Sequence, residues 1–90
     1  MRKVQLNGQK MNTRTHAHQQ LKKQLRLPDY YGANLDALWD LLSTQTEPLQ
    51  ITLINRADLV SALGDYGLQL IQLFKDAEQA HCHIQFRVMS

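Results

Sequence analysis

Three short runs with the character of β-strands lie far apart in this chain, and the stretches between them read as helix. Arg2–Leu6 places Val4 and Leu6 on one side of a strand. Leu49–Ile54, LQITLI, is a strand by its β-branched content and its length. His83–Met89 alternates, with Ile84, Phe86 and Val88 facing one way and Gln85, Arg87 and Met89 the other. Strands separated by helices pair in parallel, through right-handed crossovers. The alternation of the last run implies a sheet covered on one face only. The fold class is therefore α/β: a two-layer domain with a three-stranded parallel sheet and about four helices packed on one face. Ninety residues make one domain with a small core, so residues 1–90 are read as a single unit.

The helical stretches carry their own punctuation. Thr15 is a plausible N-cap for the first, whose inward stripe is Ala17, Leu21 and Leu25. Lys22, Lys23 and Arg26 suit the negative end of that helix, and Pro28 ends it. Asn7-Gly8 alone would suggest a hairpin, but QKMNT is poor strand material, so a turn and a loop into the helix are expected. Asp29-Tyr30-Tyr31-Gly32 reads as a loop, with Gly32 available for a positive φ. Asn34 caps a helix over Leu35–Leu42, and Ser43–Pro48 is a polar loop. Arg56–Leu63 reads as a short helix, Gly64-Asp65-Tyr66-Gly67 as a break, and Leu68–Ala80 as a longer helix with Leu70, Leu73, Phe74 and Ala77 inward.

Composition excludes several classes of function. No apolar run approaches the roughly 18–20 residues of a membrane span, so no membrane role is expected. The N-terminus has positive charge but no apolar segment behind it, and Cys82 is alone, which together point to a reducing cytoplasm and a buried thiol. The net charge of +2 hides an asymmetry. Residues 1–26 hold seven bases and no acid, whereas residues 27–55 hold Asp29, Asp36, Asp40 and Glu47 and no base. The early bases are scattered over strand, loop and helix with no aromatic among them, so direct nucleic-acid binding is not expected.

The acidic segment concentrates the chemistry. Within Leu27–Leu42, LPDYYGANLDALWDLL, the residues Leu35, Leu38, Trp39 and Leu42 share an apolar arc, and Asp36 and Asp40 flank it beside Trp39. Like charges four apart repel by roughly 0.2–0.5 kcal/mol. No base nearby in sequence relieves them. Aromatic residues beside acids have the composition of a binding surface. Two acids one turn apart on a short helix make a poor acid/base pair, because hydrolysis needs carboxyls in different environments across a cleft. No nucleophile motif, P-loop or dinucleotide fingerprint is present, so no enzyme and no cofactor are expected. His16, His18, His81, Cys82 and His83 invite a metal reading, but neither HAH nor HCH matches common zinc spacings. Solvated or locally bonded histidines are expected instead.

The same stretch resembles the signature of the barstar family, intracellular protein inhibitors of secreted ribonucleases. The similarity runs nearly end to end. An opening strand closes in NG, a helix carries LKKQL, LP-YYG-NLDALWD follows, and the last long helix contains LF-DA before a terminal strand beyond Cys82. The resemblance implies a barstar-like fold that matches the one read above. It also implies a mechanism, in which the second helix and the loop before it plug the active site of a basic ribonuclease. Tyr30, Asp36 and Asp40 match the family's principal contact positions, with Asp40 standing where a substrate phosphate would sit. Asp76 falls at an acidic contact on the last helix, and Gly32, Leu35 and Trp39 match secondary contacts or supports. The implied partner is one basic ribonuclease per chain, with the free protein a monomer. Some features depart from the pattern. Asp76 is one methylene shorter than the family's glutamate, the chain is basic overall, and the Ser43–Thr46 loop is a residue shorter. An immunity or regulatory protein for a toxin that is not a barnase-like ribonuclease is the alternative. The family's bond before the proline corresponding to Pro48 is cis, which implies the same for Glu47–Pro48.

Overall fold

The computed structural model describes residues 1–89. Strands β1 (Arg2–Asn7), β2 (Leu49–Ile54) and β3 (Ile84–Met89) form one parallel sheet in the order β1-β2-β3. Helices α1 (Arg14–Leu25) and α2 (Leu35–Ser43) connect the first two strands, and α3 (Arg56–Leu63) and α4 (Asp65–Ala80) connect the last two. The register pairs Val4 with Ile51 and Ile51 with Phe86, so alternate residues line one face across all three strands. Val4, Leu6, Leu49, Ile51, Leu53 and Ile84 on that face are buried, while Lys3, Gln5, Gln85 and Arg87 on the other are exposed. The helices thus cover one face, which gives the two-layer α/β architecture.

The core lies between that face and the helices. Leu21 and Leu25 of α1, Leu38 and Leu42 of α2, Leu59 of α3, and Leu70, Ile71, Phe74 and Ala77 of α4 all enter it. Each large side chain there contributes about 1.5–3 kcal/mol by leaving water. Phe74 stacks on Phe86 of the edge strand, with ring centroids 5.2 Å apart. Among the described residues no helix is long and apolar enough to cross a membrane.

Several local expectations are corrected. Thr13, not Thr15, caps α1, and its hydroxyl accepts from the His16 amide at 3.0 Å. Asn7-Gly8 opens a short 3-10 turn over Gly8–Lys10, and Gly8 is needed for a close approach: a Cβ there would collide with the Asn55 carbonyl. The supposed break before the last helix is narrower than expected. Only Gly64, with φ at 57°, interrupts the chain, and α4 already begins at Asp65. Gly67 is helical and buried, because a Cβ there would sit 3.2 Å from the carbonyl oxygen of Leu59. Cys82 is exposed rather than buried, since it lies in the turn between α4 and β3 with no core beside it. The Glu47–Pro48 bond is trans.

Candidate functional site

The acidic segment folds as a loop and a short helix whose ends are fixed locally. Asn34 caps α2, its side-chain oxygen accepting from the Ala37 amide at 2.7 Å. Such a cap is worth about 1 kcal/mol. Leu38 and Leu42 anchor the helix in the core, and Leu35 and Trp39 are partly buried beside them. This orientation leaves Asp36 and Asp40 on the exposed flank, one turn apart. Asp36 lies in the first turn, where the helix dipole favours an anion.

The loop before α2 is strained at both ends. Arg26 and Ala33 take left-handed conformations, with φ of 55° and 53°. A non-glycine residue held there costs on the order of 1–3 kcal/mol. The positive φ therefore falls on Ala33 and not on Gly32. Gly32 is instead closely flanked, since a Cβ there would meet the side-chain nitrogen of Asn34 at 3.2 Å, and its carbonyl accepts from that nitrogen. Tyr30 projects into solvent at 82% exposure. Its neighbour Tyr31 turns inward and packs against the core. The two tyrosines thus divide the roles, one outward and one structural.

α4 supplies the other wall of the site. Leu35, Asp36 and Trp39 of α2 and Gln69, Gln72, Leu73 and Asp76 of α4 line a shallow groove of about 360 Å³. Asp36 and Asp76, forty residues apart in sequence, border the same depression. Asp40 lies outside the groove's lining, a turn further along α2. Asp76 accepts from the Gln72 side chain at 2.9 Å. Gln69 and Gln72 are the site residues that sequence reading misses. Their spacing to Asp76 places all three on one helical face, a pattern hidden by their neutral side chains.

The charge environment is one-sided. The ion pair found among the described residues joins Lys22 to Asp29 at 3.5 Å, in exposed positions where such a pair contributes little. No ion pair reaches Asp36, Asp40 or Asp76 among the described residues. An exposed carboxylate in this state can accept two or more charge-assisted hydrogen bonds, for which a guanidinium is the geometric match.

The histidines separate. His16 bonds Asn12 at 2.8 Å in solvent. His81 lies 3.3 Å from the Ser43 hydroxyl and 6.0 Å, ring to ring, from Trp39, at the far end of the site. His18, expected to be solvated or locally bonded, is buried and bonded to residues distant in sequence. Its Nδ1 lies 2.5 Å from the Tyr31 hydroxyl and its Nε2 lies 2.5 Å from the Tyr66 hydroxyl. Burial lowers the His18 pKa and raises those of Tyr31 and Tyr66, so the ring is favoured neutral and the phenols protonated.

Fold and face together define a class: a parallel α/β domain that presents an acidic, aromatic-bordered surface on its second helix. A family model described as Barstar (barnase inhibitor) matches residues 1–90. The chain is also 36% identical over 80 residues, 88% of each chain, to a Bacillus subtilis (strain 168) protein named "Putative ribonuclease inhibitor YrdF". This chain belongs to the barstar family.

Proposed function

We propose that the protein is a ribonuclease inhibitor, not an enzyme, that binds the basic active site of its target through α2 and the loop before it and blocks access of RNA. Family membership and the name of the 36% identical relative support the inhibitor role. The observation that carries the binding mode is the set of exposed acids, Asp36, Asp40 and Asp76, without a basic partner among the described residues. A ribonuclease must hold an anionic phosphate among cationic side chains, so its active site supplies what this face lacks. Asp40 takes the phosphate position and Asp36 and Asp76 bind at its border. Tyr30 covers the rim, while Gly32, Leu35 and Trp39 shape and support the contact. Association is one-to-one and is accelerated by the opposite charges of the two surfaces.

A second reading keeps the fold and changes the target to a toxin of another kind. The bond from Gln72 to Asp76 favours it, since that carboxylate already has a neighbour to satisfy part of its capacity. Co-expression with a panel of small basic ribonucleases separates the two. Rescue of growth, with RNA cleavage in the lysate suppressed, is the expected result. Failure against every ribonuclease in the panel, while the folded protein accumulates, would point to the second reading.

A further inference from the structure

Among the described residues His18 is the only buried polar side chain, and both of its ring nitrogens meet tyrosine hydroxyls from other parts of the chain. Tyr31 belongs to the loop between α1 and α2, and Tyr66 to the first turn of α4. The three side chains therefore join α1, that loop and α4 at one point. A neutral imidazole has one N–H and one lone pair, and a phenol both donates and accepts. One tyrosine donates to the ring and the other accepts from it, so the chain of bonds closes in either tautomer. The Arg14 guanidinium lies over the Tyr66 ring, 4.2 Å from its centroid, and holds that ring from the solvent side.

The position of this cluster bears on the proposed binding face. Tyr31 is preceded by the exposed Tyr30, so fixing one fixes the direction of the other. The loop is strained at Arg26 and Ala33, and strain of that kind persists only where surrounding contacts hold it. Within the loop, the Tyr31 amide bonds the Pro28 carbonyl at 3.0 Å, but the tie from the loop's side chains to α4 runs through His18. α4 is also the helix that carries Asp76.

We propose that His18 is a positioning residue which, with Tyr66 behind it, presets the Tyr30–Gly32 loop against α4 so that the binding face is formed before a partner arrives. The inference rests on the ribonuclease-inhibitor reading for its purpose, but its structural content is testable on the free protein. A preset loop does not have to be ordered on binding, which lowers the cost of association.

Tyr66→Phe is the informative change, because it removes one hydroxyl and keeps the ring under Arg14. Amide hydrogen exchange of the free variant is expected to speed up about tenfold at Tyr31, whose amide bonds the Pro28 carbonyl, the equivalent of one lost hydrogen bond, with β2 unchanged. Unchanged exchange at Tyr31, or an equal rise throughout the chain, would overturn the proposal. The second arm is a binding cycle with a small basic ribonuclease. Tyr66→Phe and Tyr30→Ala are expected to be non-additive, whereas a loss of stability alone would leave them additive and count against a positioning role. If the wild-type protein binds no ribonuclease, the functional reading fails and the exchange arm alone decides the positioning claim.

Discussion

The His18 cluster and the α2 flank treat polar groups in opposite ways. In the cluster, a buried imidazole and two phenols satisfy one another, and the network closes on itself. On the flank, Asp36 and Asp40 are exposed, share one sign of charge and meet no base among the described residues. A closed network specifies a unique arrangement of its elements. An open one leaves its strongest interactions to a partner. The difference separates residues that the fold requires from residues it merely carries, and it assigns each group a distinct phenotype.

The largest expected effect falls on the open side. Asp40→Ala should weaken binding to a basic ribonuclease by about 3–5 kcal/mol, a hundredfold or more, because it leaves the partner's cations desolvated and unpaired. The same change should alter stability by less than about 0.5 kcal/mol in a urea titration, since the side chain is exposed. A large loss of stability would move Asp40 to the structural class and erase the contrast.

The cluster should show the reverse. His18→Ala strips two tyrosine hydroxyls of their partner and is expected to cost about 2–3 kcal/mol of stability, read from the shift of the urea midpoint. Asn34→Ala lies between the two regions, because the cap orders the helix on which both acids ride. It should cost about 1 kcal/mol in stability and reduce affinity with it.

The smallest effect is the pH dependence of the closed network. Burial places the His18 pKa of the folded state below the ordinary value of 6.5, so the unfolded chain binds the proton more readily. This contribution to stability is complete above about pH 6.5 and is lost as pH falls through the folded value. Tyr31 and Tyr66 still offer the charged ring two oxygens, which limits the loss. Urea midpoints between pH 7.5 and 5 should fall more for the wild type than for His18→Gln. Parallel curves would remove His18 from the account.

The sequence was most informative where a single element settles its own form. LQITLI is β2 to the residue, Arg56–Leu63 is α3, and Asn34 caps α2 as its side chain predicts. It misled where a residue's reason lies across the fold. Gly67 looks like a helix breaker but is placed by the carbonyl of Leu59 in the neighbouring helix. Thr15 and Thr13 offer the same hydroxyl two residues apart, and only the backbone geometry chooses between them. The site was partly legible, because Asp36, Trp39 and Asp40 sit on one short helix whose arc follows from periodicity. Asp76, carried over from the family resemblance, lies across the groove from α2, and Gln69 and Gln72 beside it carry no charge to announce themselves. The bonds of His18 span 13 and 48 residues, beyond the reach of any local pattern.

The central claim is that the acids left open on α2 are completed by a cationic partner. Its most direct test is a titration of RNA cleavage by a small basic ribonuclease with the wild-type protein, Asp40→Ala and Lys23→Ala. One-to-one inhibition is expected of the wild type and of Lys23→Ala, with a loss of a hundredfold or more for Asp40→Ala. Equal potency of Asp40→Ala and the wild type, or an equal loss in Lys23→Ala, would contradict it.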